Sequence, residues 1–311
     1  MARPLVLVDL LSYTGTKGGM ETYARQLYGA IGTSNHEFDF VGMASREGAK
    51  LDLDWFPGEV YDSGITGEGR VRWAVGELFD VSRHARRHKA ALVHCPATLG
   101  PRRTEMPTVI TLHDTLYWSH PEFMTTPLYT EPVKWMEVQA ARNATKIITD
   151  SQVSKDEIVK YLGTDPAKID VVWLAGTPEA SNSASTRRRD LILATGNRRP
   201  HKNFVSLVKA LPLIAEPQRP QLVITGSRGD DPLRPVVAEL GLERWVELKQ
   251  WVSDEELTAL HAEATALAMP SLQEGFCLPV VDAMMAGLPC LLSDLPIFHE
   301  VAAGAALYYP P

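Results

Sequence analysis

Two carboxylates eight residues apart, Glu274 and Asp282, bracket a turn in the stretch PSLQEGFCLPVVDAMMAGLPCLLSD (270–294). An apolar strand ends near Ser271 and a helix opens at Pro279, a residue with no N–H to lose at a helix start. The backbone amides of Gly275, Phe276, Cys277 and Leu278 then converge on a helix N-terminus, where a phosphate is favoured by the exposed N–H groups and the helix dipole. Glu274 just before this nest and Asp282 one turn inside the helix can flank a bound anion and hydrogen-bond hydroxyls on either side of it. The same spacing also fits a capped helix with a surface carboxylate at each end. Gly18 and Gly19, after the first strand, permit close backbone approach ahead of a helix at Glu21. That pair alone also fits an ordinary βα turn, and its spacing is neither that of a P-loop nor that of a dinucleotide fold. His113 closes the run VITLH at the carboxyl end of a strand.

The elements that must position these residues alternate. Strands are predicted at Leu5–Leu10, Phe38–Met43, Ala91–Cys95, Val109–Leu112, Lys146–Thr149 and Ile169–Trp173. Helices are predicted at Glu21–Ile31, Arg70–His88, Tyr129–Arg142 and Ser154–Leu162. The strand runs lack polar alternation, so both faces are covered and the sheet is parallel. After GTPEASNSAS the alternation restarts, with strands at Leu191–Ala194, Leu222–Thr225, Val246–Leu248, Ala266–Met269 and Cys290–Leu292, and a final extended AALYY. Helices fall at Phe204–Leu211, Leu233–Leu240, Asp254–Glu263 and Pro279–Ala286. The expectation is α/β: a first doubly wound domain over 1–176, a linker over 177–189, and a second doubly wound domain over 190–311. Open parallel sheets bind ligands beyond the carboxyl ends of their strands, which is where the residues above fall.

Composition excludes several classes. The 311 residues are 45% hydrophobic, enough for packed cores, and no apolar run reaches the roughly 18 residues of a membrane span. Net charge is -7, against general nucleic-acid binding. Cys95, Cys277 and Cys290 form no spaced pair, against zinc or a disulfide framework, and a cytoplasmic setting follows. Asp52 and Asp54 form an Asp-x-Asp read as a loop feature. His84 and His88 lie one helical turn apart among Arg83, Arg86, Arg87 and Lys89, a cationic setting that opposes a metal. That Arg83–Lys89 cluster is read first as complementing a helix dipole, with peripheral contact to an anionic membrane surface as the second reading.

Several segments together resemble one family. EGFCLPVVDAMMAGLPCLLSDLP resembles the acidic signature of the retaining glycosyltransferases of family 4, which have the GT-B fold of two Rossmann-like domains facing a central cleft. GTKGGMETYARQL is similar to their first loop and helix, TLHDTLY to their His-Asp loop, and ATGNRRPHKNFVSLVKAL to their donor-phosphate loop. TDSQVSKDEIVKYLG and KIDVVWLAG are similar to the segments leading to their linker. The order matches over nearly the whole chain. The resemblance implies that Glu274 orients the transferred sugar and that Asp282, where the family usually has Glu, holds the ribose. It implies amide contacts from Gly18 and Gly19 to the distal phosphate. Lys202 and Arg198, with Arg199 next, would neutralise the leaving diphosphate in place of a metal, although they also fit a solvated basic turn. His113 would contact the donor sugar or stabilise charge on the reacting ring.

The implied activity is metal-independent transfer of a hexose or deoxyhexose, leaning to a mannosyl or deoxyhexosyl donor on TLHDTLY, HKN and AALYYPP. A nucleoside-diphosphate sugar is the co-substrate, with no cofactor, and the acceptor is a glycan, a lipid-linked glycan or a small molecule. A GT-B epimerase, a phosphorylase and a non-catalytic sugar-nucleotide binder share the layout. The resemblance also implies a closing segment beyond Pro311 that crosses back to the first domain, so the C-terminal domain is expected to be cut short.

Overall fold

The computed structural model describes residues 3–16, 18–34, 36–124, 126–176, 188 and 190–311. The chain divides into two compact units, Met1–Trp173 and Leu174–Pro311, three residues ahead of the expected boundary. The expected linker, Arg188 apart, lies outside the described residues.

The N-terminal unit runs β1 (Leu5–Leu10), α1 (Gly19–Thr33), β2 (Asp39–Ala44), β3 (Gly58–Asp62), α2 (Arg70–Val75), α3 (Val81–His88), β4 (Leu92–Cys95) and β5 (Thr108–Thr111). It continues through α4 (Leu116–Ser119), α5 (Pro127–Asn143), β6 (Lys146–Thr149), α6 (Gln152–Leu162) and β7 (Ile169–Val171). Its sheet has the order β3-β2-β1-β4-β5-β6-β7, with every pairing parallel. Val6, Leu7, Val8 and Leu10 are all buried because helices cover both faces. Leu7, Val93, Ile110 and Ile147 join one core, and Val6, Val8, Ala24 and Tyr28 the other.

The C-terminal unit repeats the plan. It runs β8 (Leu191–Thr195), α7 (Phe204–Ala210), β9 (Gln221–Ser227), α8 (Arg234–Glu239), β10 (Val246–Gln250), α9 (Asp254–Glu263), β11 (Ala266–Met269), α10 (Leu278–Met285), β12 (Cys290–Ser293), α11 (Pro296–Ala302) and β13 (Ala306–Tyr309). The sheet order is β10-β9-β8-β11-β12-β13, again all parallel. Order reverses at β1/β4 in the first sheet and at β8/β11 in the second, the switch points where crossovers diverge and loops leave a crevice.

Several elements depart from expectation, the short α4 among them. The helix expected over Arg70–His88 is interrupted by a π-helical turn at Gly76–Asp80. There Gly76 is pressed so close that a Cβ would come within 3.1 Å of both Ile65 and Leu11 side chains. Strand β3 was not expected, and neither was α11.

Helix α5 carries a buried acid. Glu137 is 1% exposed, and its Oε2 accepts from Trp118 Nε1 at 2.8 Å. Burial pushes its carboxyl from 4.5 to about 8; Asp114 adds to the rise, while Trp118 and Lys134 oppose it. The folded chain therefore keeps a proton that the unfolded chain releases between these two values. Stability from this group is fully present below 4.5 and falls as pH rises to 8. Glu137→Gln keeps an acceptor for Trp118 without the charge. Its thermal midpoint should match the native protein's at pH 4.5 and exceed it by several degrees at pH 9, on the order of 3 kcal/mol. A constant difference across this range in calorimetric scans would contradict the assignment.

Candidate active site

In the C-terminal unit the loops after β8 and β11 meet. Lys202 ends a 3-10 turn, Pro200–Lys202, and Asn203 follows in the left-handed region at φ 53 to start α7. The Leu272 amide donates to the His201 carbonyl at 2.7 Å, tying the two loops together. Across that tie Lys202 Nζ donates to both Glu274 oxygens, at 2.7 and 2.8 Å, with the side chains only 13% and 8% exposed. Ser271 Oγ donates to Glu274 Oε1 at 2.6 Å. The expected cation and the expected acid thus form one partly desolvated pair.

Close backbone approach makes room for it. Gly196 sits at φ +141, with the Lys202 stem beside the place where its Cβ would be. Gly226, at φ +95, lies under it: a Cβ there would come within 2.6 Å of the Gly196 carbonyl oxygen. Sequence reading did not single out Gly226, whose signal is only a glycine near a strand end.

The turn Gly275–Leu278 opens α10 as expected, with Pro279 in its first turn. Cys277 is the N-cap at φ 79, a strained value for a residue with a Cβ. Burial holds its thiol well above the ordinary value, so it is protonated and unreactive. Relieving this strain should stabilise the unit: Cys277→Gly is expected to raise its thermal midpoint by 1–3 degrees, about 1 kcal/mol. A lower midpoint would show that Cys277 packing outweighs strain. Asp282 lies further along α10, beside Gly176, where a Cβ would come within 3.0 Å of its Oδ1.

Arg198 was expected on the diphosphate; in the structure its guanidinium is engaged within the fold. Nε and Nη2 bond the Asp231 carboxylate at 3.0 and 2.9 Å, and Nη1 donates to the carbonyls of Gly196 and Thr225. Nη2 also donates to Ile224, leaving no N–H for a ligand. The ion pair is 7% and 4% exposed. Arg198 therefore fastens the β8 loop to the end of β9. Arg199, the second candidate, is exposed.

In the N-terminal unit, Gly18 is the N-cap of α1 at φ 65, and a Cβ on Gly19 would meet nothing within 4 Å. The amides of Thr14, Gly15 and Thr16 converge on Glu21 Oε1 at 2.6, 2.8 and 3.2 Å. This carboxylate, which the sequence did not flag, moulds the loop that carries the glycine pair.

His113 follows β5 as expected, but both of its ring nitrogens are occupied. Nδ1 lies 2.7 Å from Asp150 Oδ2 and Nε2 lies 2.9 Å from the Pro96 carbonyl. The expected hydrogen bond to a sugar hydroxyl would displace one of these partners. Asp52 Oδ1 accepts from the Asp54 amide, a local turn. His84 and His88 both stack on Tyr61, and His84 Nδ1 bonds its hydroxyl. Among the described residues no three His, Cys, Asp or Glu side chains gather as metal ligands.

Two all-parallel α/β units, of seven and six strands, make this a GT-B fold, as in its structural neighbours. Anabaena HepE in complex with UDP-glucose aligns with a TM-score of 0.73 at 17% identity, over 99% of this chain and 85% of that one. WaaG, a glycosyltransferase involved in lipopolysaccharide biosynthesis, aligns with a TM-score of 0.72 at 15% identity, over 98% and 86%. The chain belongs to glycosyltransferase family 4: residues 17–174 match "Glycosyltransferase Family 4" and residues 178–306 match "Glycosyl transferases group 1". The O-antigen chain mannosyltransferase RfbU of Salmonella typhimurium is 31% identical over 65% of this chain and 56% of its own length. O-antigen chain mannosyltransferase B of Escherichia coli is 28% identical over 73% and 63%. The chain thus spans less than two thirds of the length of these relatives.

Proposed function

We propose that this chain transfers a hexose, mannose in the favoured reading, from a nucleoside-diphosphate sugar to an acceptor hydroxyl with retention of configuration. The Lys202–Glu274 pair carries the reading. Lys202 turns from Glu274 to the departing diphosphate, supplying fixed positive charge where negative charge develops, so neither a metal nor a further cofactor is required. Glu274, released, accepts hydrogen bonds from the sugar hydroxyls, and Asp282 takes the ribose diol. The amides of Gly275–Leu278 meet the donor's phosphates. The acceptor oxygen bonds to the anomeric carbon on the face from which the phosphate leaves, and its proton passes to the departing phosphate oxygen. The mannosyl preference is supported by the curated relatives, which include a GDP-mannose:cellobiosyl-diphosphopolyprenol alpha-mannosyltransferase from Xanthomonas oryzae pv. oryzae, 40% identical over 27% of this chain.

A panel of GDP-, UDP-, dTDP- and ADP-sugars tests this by thermal shift, since a ligand that binds only the folded chain raises its midpoint. GDP-mannose is expected to give the largest rise. No rise with any nucleotide sugar would overturn the reading.

The acceptor is proposed to be a glycan carried on lipid at the cytoplasmic face. Among the described residues no helix is long and apolar enough to cross a membrane. What supports contact is a flank of the N-terminal unit. Val71, Val75 and Phe79 are exposed, at 77%, 38% and 49%, and Phe79 lines a cavity of about 390 Å³ with Leu78, Ser82, Arg86, Arg102 and Arg103. Apolar side chains beside arginines suit an anionic bilayer surface. Sedimentation with phosphatidylglycerol vesicles should carry the protein down, and Arg86→Glu with Arg102→Glu should release it. Equal sedimentation with phosphatidylcholine alone would count against it.

A further inference from the structure

The partners of His113 fix its charge. Asp150 Oδ2 and the Pro96 carbonyl are both acceptors, at 2.7 and 2.9 Å from the two ring nitrogens. A neutral imidazole has one N–H, so with an ionised Asp150 one of these contacts would set lone pair against lone pair. Both are hydrogen bonds when both nitrogens carry protons. The three groups come from three strand ends: Pro96 follows β4, His113 follows β5 and Asp150 follows β6. A third bond, Ser154 Oγ to the His113 carbonyl at 3.1 Å, adds the first turn of α6.

We propose that Asp150 is a positioning residue for sugar transfer: its carboxylate holds His113 as an imidazolium, and that imidazolium clamps the loops after β4, β5 and β6 together. The role in transfer rests on the glycosyltransferase reading above; the clamp itself does not. Every titratable group facing the ring fits this state. Asp150 and Asp114 are the acids near it, and both favour the cation. His94 on β4, pushed down to about 4 by burial and by His113 itself, is neutral. Tyr23 on α1, whose ring edge meets the imidazole with centroids 4.9 Å apart, is pushed up to about 12 by burial and is also neutral. Burial alone would depress the His113 pKa, but the Asp150 charge and the bonds to Asp150 and Pro96 reverse this and carry it above its ordinary value. The clamp is therefore complete below pH 6.5 and is lost as pH rises through the raised value. With both N–H groups committed, His113 does not serve as a general base.

Proton and nitrogen NMR of the ligand-free protein tests the clamp without any turnover. At pH 7 His113 is expected to show two protonated ring nitrogens, and in Asp150→Asn a single one, with its titration moved down by a unit or more. In transfer assays Asp150→Asn should lose about tenfold in kcat at pH 7 and recover toward native at pH 5.5, where His113 regains its proton. KM for the donor should change less than kcat. Asp150→Glu, which keeps the charge, should retain the doubly protonated ring. A neutral His113 in the native protein at pH 7, or an Asp150→Asn pH profile parallel to the native one, would overturn the proposal. If no sugar is transferred at all, the NMR result still decides the charge state, so failure of the glycosyltransferase reading is told apart from failure of the clamp.

Discussion

Lys202→Met should remove transfer almost completely, by about a thousandfold or more in kcat. Methionine keeps the length and apolar stem of lysine and removes only the ammonium. A fixed positive charge aimed at a departing diphosphate acts where charge appears in the transition state, and losing one such group costs on the order of 4 kcal/mol. The variant also leaves Glu274, 8% exposed at its side chain, with the Ser271 hydroxyl in place of an ammonium to answer its charge. A buried carboxylate deprived of its cation destabilises the fold, so the melting midpoint of Lys202→Met should fall by several degrees. Glu274→Gln in the same chain removes the stranded charge. The double variant is therefore expected to regain the native midpoint and remain inactive, which separates loss of chemistry from loss of fold. Initial rates of donor turnover decide it: Lys202→Met within tenfold of native would refute the role given to the ammonium.

The way these residues were and were not legible in the sequence follows from what a linear pattern records. Strand β1 was readable residue for residue, because burial on both faces demands a run that is apolar but for Asp9, whose Oδ1 accepts from the Leu11 amide. Strand β3, Gly-Glu-Val-Tyr-Asp, pairs on one side only and is half exposed, so it shows neither an apolar run nor alternation. The seven-residue α11 is too short to display a helical period. At the site, Lys202 and Glu274 were visible through their local motifs, and their pairing is what the fold added across 72 residues. Asp231, Asp150 and Glu21 had no such signal. Asp231 and Asp150 act on partners 33 and 37 positions away, and Glu21 acts on three amides that any residue types would supply. Arg198 shows the converse. Its charge is legible, but the carbonyls and carboxylate that consume it appear only once β8 and β9 lie side by side.

The Arg198–Asp231 pair carries the second large effect. Asp231→Ala should cost about 3–5 kcal/mol of stability in the C-terminal unit, because it leaves the Arg198 guanidinium buried without its counter-charge. The Leu233 amide, which donates to Asp231 Oδ1 at 3.0 Å, loses its acceptor as well. Arg198→Lys should fail almost as badly. The planar fork reaches Asp231, Gly196, Thr225 and Ile224 in one plane, whereas an ammonium offers three donors from a single point. Both variants release the loop that presents Lys202, so donor affinity should fall even at temperatures where the chain is still folded. Denaturant unfolding together with calorimetric titration of the preferred nucleotide sugar distinguishes the two roles of Arg198. A ligand on the diphosphate would lose affinity in Arg198→Ala at unchanged stability. A fastener of strand ends loses stability first, and Asp231→Ala, which leaves the arginine in place, reproduces the same loss of affinity.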